Sequence, residues 1–141
     1  MLPRWPPGTV AILATVGQGP HAIPVSAVVR AGPDRVLIGL AAGRGSLARL
    51  RVEPRVTLSL VAEGIAVSAA GRARVIDEAL VDGVVAVEIE VESLSDHLRP
   101  TFELEEGARW RWTDAAAAVR DQEVRSALAR LARRGADTDA G

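Results

Sequence analysis

The chain is 141 residues long, 48% hydrophobic and 25% charged, with a formal net charge of -1, which fits one globular domain rather than two or a disordered segment. That charge and the 3% aromatic content argue against a nucleic-acid footprint, and no apolar run approaches the roughly 20 residues of a membrane span. Cys is absent and all 17 basic residues are Arg; with Lys and Tyr also missing, disulfides, thiolate metal sites, Schiff-base lysines and tyrosine acids are excluded, and a phosphate must be met by Arg forks, hydroxyls or backbone N–H groups.

In chain order, Met1 to Gly8 carries three prolines and is expected as an irregular lead-in without signal-peptide layout. Thr9–Val16 reads as a first strand, closed by the turn Gly17-Gln18-Gly19-Pro20. His21–Arg30 reads as a second strand. Its Pro24 cannot donate a ladder bond, so it marks an edge, a bulge or a ligand-facing position. After the turn Ala31–Asp34 comes Arg35–Ala41, apolar at successive positions and therefore expected to be buried on both faces. Ser46 is placed to cap a short helix through Val52, which Glu53-Pro54 ends.

Arg55–Ala62 and Ile65–Ile76 form a hairpin around Glu63-Gly64. Val84–Leu94 alternates Val85, Val87, Ile89 and Val91 with Glu88, Glu90 and Glu92, which predicts one solvated face. Glu103–Thr113 ends in Arg109-Trp110-Arg111-Trp112. Thr113 or Asp114 then caps a helix to about Arg134, with the stripe Ala117, Val124, Leu128 and Leu131, a stop at Gly135, and fraying of Asp137–Gly141. The expected architecture is mainly β (α+β): a six-stranded antiparallel split β-barrel over about residues 9–95, with a short helix after strand three. A tail and C-terminal helix over about 96–134 complete a single domain.

The succession Pro-His-Ala-Ile-Pro-Val, Ile-Gly-Leu, Gly-Arg-Gly-Ser, Leu-Arg-Val-Glu-Pro-Arg-Val and Gly-Arg-Ala-Arg-Val resembles the pyridoxamine 5'-phosphate oxidase-like family of flavin-binding split barrels, some of which use the deazaflavin F420. The resemblance covers about residues 9–95 and rests on the order of the motifs, none of which is diagnostic alone. It implies a homodimer that binds FMN, alternatively F420, in clefts between subunits, and that passes a hydride to or from a small organic substrate; the absence of Cys suits a cytoplasmic protein. Neither a membrane nor a nucleic acid is expected as a partner, and no metal site is expected.

By the same resemblance the flavin phosphate would lie against Arg44, Gly45, Ser46, Arg49 and Arg51, where Arg forks, a hydroxyl and a helix N-terminus suit an anion. The family pattern has Lys near Ser46 and Asn where Arg49 stands, which leaves open which residue grips the phosphate. The ring would lie along Pro24, Val25, Ser26 and Ala27. Trp110 and Arg111 would reach the cofactor, across a dimer in the strongest form of the reading. Plain structural roles stand beside these: barrel packing for residues 24–27, a solvated basic turn for the arginines, interface packing for the tryptophans, a strand start for His21 and a satisfied loop position for His97. A non-catalytic dimer that binds flavin, haem or another ligand is the alternative to an enzyme.

Overall fold

A computed structural model describes residues 1–135 in full and carries the backbone of the last helix on to Ala140. The strands are β1 (Ala11–Thr15), β2 (His21–Val25), β3 (Val28–Gly32), β4 (Arg35–Ala41), β5 (Arg55–Ala62), β6 (Ile65–Val81) and β7 (Val84–Asp96). Helix α1 (Gly45–Val52) follows β4, and α2 (Ala115–Ala140) closes the chain. All seven strands lie in one antiparallel sheet of order β2-β1-β5-β6-β7-β4-β3.

The count corrects the six-strand expectation, because the run His21–Arg30 is two strands. Ser26 and Ala27 break it, and the halves lie at opposite edges of the sheet. Two residues span at most about 10 Å, so the sheet must roll until its edges nearly meet. β2 and β3 do not pair, and the ladder stays open along that seam. Pro24 sits on edge strand β2, opposite Ile12 of β1, as its missing N–H requires.

Alternation along the strands makes two cores. Val36, Ile38 and Leu40 of β4, with Val85, Val87 and Ile89 of β7, point inward with Leu13, Leu58 and Leu60. Leu37 and Ala86 point outward and are covered by Val124 and Leu128 of α2. Strand β4 is thus buried on both faces as expected, but its outer cover is the chain's own helix, so that burial does not by itself call for a second subunit. The solvated face expected of β7 also fails at its first half. Val84 and Ala86 lie under α2, and Glu88 is only 7% exposed.

Glu88 is tolerated there because Arg35 Nε and Arg74 Nε reach its two carboxylate oxygens at 2.6 and 3.0 Å. Burial pushes its carboxyl pKa up, but the two guanidiniums outweigh that and hold it below the ordinary glutamate value.

Strands β6 and β7 run beyond their expected ends, to Val81 and Asp96. Register shifts at Ala70/Gly71, Val75/Asp77 and Asp77/Val81 bend them around the barrel and break the period-2 pattern. The tight turns use Gly64 at φ +67° and Gly83 at φ +76°, a region that suits glycine. Ser46 does not cap α1: Arg44 holds that position, without a side-chain cap bond, and Ser46 is buried. Glu53 ends α1 as expected. Asp114 does cap α2, its Oδ2 accepting from the Ala117 N–H at 2.9 Å.

Gly135 does not end α2. A Cβ there would meet Arg35 Nη1 at 2.5 Å, so this glycine permits close packing on the Arg35–Glu88 pair. The fraying expected of 137–141 lies outside the described residues. No helix among the described residues is long and apolar enough to cross a membrane.

Candidate functional site

A cavity of about 390 Å³ opens where the β2–β3 corner meets the start of α2. The sequence builds it from small side chains. Val25, Ser26 and Ala27 are buried at the corner, and the Ala27 carbonyl accepts from the Gly39 N–H at 3.1 Å. Gly39 and Ala41 of β4 and Val84 of β7 continue the lining. A Cβ on Gly39 would come within 2.7 Å of Val124 Cγ1, so glycine is what lets α2 settle onto this part of the sheet.

Helix α2 forms the opposite wall with Ala117, Arg120, Asp121 and Val124. Arg120 is anchored to the carbonyl of Asp82 in the β6–β7 turn. Asp121 is held from both sides: Ser26 Oγ donates to Oδ1 at 3.3 Å, and Arg125 Nε donates to Oδ2 at 3.0 Å.

The tail supplies the remaining wall. It runs along the β5–β6 hairpin, where Gly64 N–H donates to the Leu104 carbonyl and a Cβ on Gly107 would meet Val61 O at 1.8 Å. A single bridge joins Thr9 to Arg109, and the Arg109 guanidinium donates to the Pro7 carbonyl. Immediately after this anchor Trp110 and Trp112 line the cavity. Their ring centroids are 5.9 Å apart at 69°, an edge-to-face pair, and each is 43% exposed. The segment is not a full strand, but the expected alternation survives in that both tryptophans share one side.

The cavity therefore gathers Pro24, Val25, Ser26, Ala27, Arg44 and Trp110 from the residues singled out in the sequence. The other residues of the Arg44 loop go elsewhere. Arg49 Nη1 donates to the carbonyls of Gly17 and Gly19 at 2.8 and 3.1 Å, fixing α1 to the β1–β2 turn. Arg51 pairs with Glu78 at 2.7 Å, and Ser46, in the first turn of α1, is buried. Gly45 and Arg111 do not line the cavity. The Arg44 guanidinium makes no hydrogen bond or ion pair among the described residues, and it is exposed.

Gly39, Arg120 and Asp121 were not singled out in the sequence, and Trp112 was paired there with Trp110 on one face of the segment but not named as a cofactor contact. The RWRW alternation carries a signal for Trp112, since it places Arg111 opposite both indoles. The α2 residues carry none, because only the tertiary fold brings them to the corner. Both histidines lie away from the cavity: His21 starts β2 as expected, and His97 Nε2 is 2.8 Å from Ser68 Oγ.

No protein-family model matches the sequence, and no curated protein does. Solved structures do match the fold. A candidate pyridoxamine 5'-phosphate oxidase of Listeria innocua superposes with a TM-score of 0.54 at 15% identity, over 63% of this chain and 88% of that one. An F420 reductase gives 0.55 at 10% identity, over 62% and 90%. HutZ, a haem storage protein from Vibrio cholerae, gives 0.53 at 12% identity, over 63% and 86%. The chain thus has the split-barrel fold of the pyridoxamine 5'-phosphate oxidase-like proteins.

Proposed function

We propose that the chain binds a flavin-type cofactor, FMN or its deazaflavin relative F420, in the cavity at the β2–β3 corner. In this reading it is an oxidoreductase that passes a hydride to or from a small organic substrate. The observation that carries it is the convergence of Pro24–Ala27, Arg44 and Trp110 from three separate parts of the chain on one cavity of about 390 Å³, within the usual range for small-molecule sites of roughly 300–1,000 Å³.

The donor set fits such a ligand. Ala27, Gly39, Ala41 and Ala117 leave room against a flat ring, and the indoles of Trp110 and Trp112 offer apolar faces. Arg44 brings an uncommitted guanidinium suited to a phosphate. The cofactor would supply the redox electronics. The protein's part is to position it; among the described residues Asp121 is the only acidic side chain lining the cavity, and both its oxygens are engaged.

Haem fits less well. An axial ligand comes from His, Cys, Met or Tyr, and none of these lines the cavity among the described residues. A homodimer belongs to the same proposal. Ile12 and Val61 are 41% and 44% exposed, and with Pro24 they share the outward face of β2-β1-β5. Sedimentation at micromolar concentration tests it, and a stable monomer would refute the pairing.

Cofactor analysis by mass spectrometry of the purified protein, with FMN and F420 titrations, tests the cofactor. Saturable binding of either one, followed by reduction of the bound group, supports the reading. A protein that binds neither overturns it.

A further inference from the structure

On the other side of the Asp121–Arg125 pair lies a second cavity, of about 400 Å³, between the N-terminal lead-in, β3 and α2. It is lined by Arg4, Trp5, Arg30 and Arg125, with apolar surface from Val28 and Val29 among others. Among the described residues no acidic side chain lines it, in a chain whose net charge is -1. Three guanidiniums have therefore been gathered without a carboxylate on the same wall.

Two of the three are held in place from behind. Arg30 Nε donates to the Leu2 carbonyl at 3.2 Å, and Arg125 Nε donates to Asp121 at 3.0 Å. Both bonds use Nε and leave the terminal amino groups for a ligand. Arg4 makes no hydrogen bond or ion pair among the described residues. The Trp5 indole is fixed as well, its Nε1–H donating to the Val28 carbonyl at 3.1 Å. Fixed guanidiniums beside a fixed indole form a site for an anionic head carried on a flat apolar ring.

We propose that this cavity is a second binding site, separate from the one at the β2–β3 corner, for a small aromatic anion such as an aryl phosphate or aryl carboxylate. Trp5 lines it, while Trp110 and Trp112 line the other cavity, so each cavity has its own fluorescent reporter.

The test uses the full-length W110F/W112F variant, in which Trp5 is the sole indole. Phenyl phosphate is titrated, with phenol and benzylamine as neutral and cationic controls. The expected result is a saturable change in Trp5 emission with phenyl phosphate at least tenfold tighter than with phenol, and none with benzylamine. Each of Arg30→Gln and Arg125→Gln should weaken binding about tenfold or more, and Arg44→Ala in the other cavity should leave it unchanged. Should those variants fold poorly, Arg4→Gln at an exposed, unpartnered position and calorimetry on the unmodified chain give the same reading. Equal affinity for phenol, no response to phenyl phosphate, or indifference to every arginine change would overturn the proposal.

Discussion

Ser26 Oγ donates a hydrogen bond to Asp121 Oδ1 at 3.3 Å, joining residues 95 positions apart in the chain. Ser26 lies in the two-residue corner where the chain passes from one edge of the sheet to the other, and Asp121 lies on the helix that covers β4. One contact thus ties the seam of the barrel to its cover. Asp121→Asn keeps the size of the side chain but weakens its bond with Arg125. We expect a loss of about 1–2 kcal/mol of stability, read as a lower midpoint in thermal or urea unfolding. An unchanged midpoint would mean that the corner is held by packing alone.

Arg44 and Arg49, five residues apart, are expected to separate binding from stability. Arg44 lines the cavity without a partner among the described residues, whereas Arg49 is committed to the carbonyls of Gly17 and Gly19. Arg44→Ala should weaken FMN or F420 binding by about tenfold or more at nearly constant unfolding midpoint. Arg49→Ala should lower the midpoint by the equivalent of about 1–2 kcal/mol and change affinity little. The opposite pattern in titration and melting curves would move the phosphate site to the β1–β2 turn.

The Glu88 triad gives a pH dependence of known sign. Its folded-state pKa is depressed, so its contribution is present above the unfolded glutamate value of roughly 4.3 and is lost as pH falls through the lower folded value. Unfolding midpoints should therefore fall below about pH 4 more steeply in the parent chain than in Glu88→Gln. That variant should itself lose about 1–3 kcal/mol at neutral pH, because Arg35 is left partly buried without its carboxylate. Parallel acid profiles for the two proteins would remove Glu88 as the titrating group.

The parts of the fold legible in the sequence are those written in local pattern. The edge position of Pro24, one of three that its missing N–H allowed, the double burial of Arg35–Ala41 and the helix cap at Thr113 or Asp114 each follow from one residue type or one period. The break at Ser26-Ala27 was not legible, because both residues are compatible with a continuous strand and only the sheet order separates its halves. Glu88 misled for a related reason: alternation reports which side a residue faces, not whether a helix or two guanidiniums wait there. Within the Arg44 loop, the family resemblance implied a cluster of arginines on one anion. Their actual directions depend on the carbonyls of a distant turn and on Glu78.

Gly107 should act on the cavity from outside it. A Cβ there would meet Val61 O at 1.8 Å and Ala62 Cα at 2.8 Å, contacts with backbone that cannot be relieved by a side-chain rotation. Gly107→Ala should therefore lift the tail from the β5–β6 hairpin and displace Trp110 and Trp112, three and five residues on. We expect a shifted emission maximum and weaker cofactor binding while the barrel still unfolds cooperatively. Emission and affinity identical to the parent would show that the tail is fixed by its Arg109 anchor alone.

Trp110 and Trp112 report on the proposed cofactor directly. They form an edge-to-face pair at 5.9 Å, they line the cavity of their own chain, and at 43% exposure each keeps a large apolar surface open there. A ring bound against them would be stabilised by contact with the indoles, about 0.5–1.5 kcal/mol beyond area burial for an aromatic pair. It would also accept their excitation energy. FMN or F420 binding should then quench most of the emission from these two residues. Trp5, in the second cavity, should be affected less, so the W5F variant should show a larger fractional quench than the parent. Trp110→Phe should remove much of the quench and weaken binding several-fold. Trp112→Phe separates the effect of the pair from that of Trp110 alone. Cofactor that saturates the W5F protein while its remaining emission stays constant would leave the two tryptophans as packing residues and place the ring elsewhere.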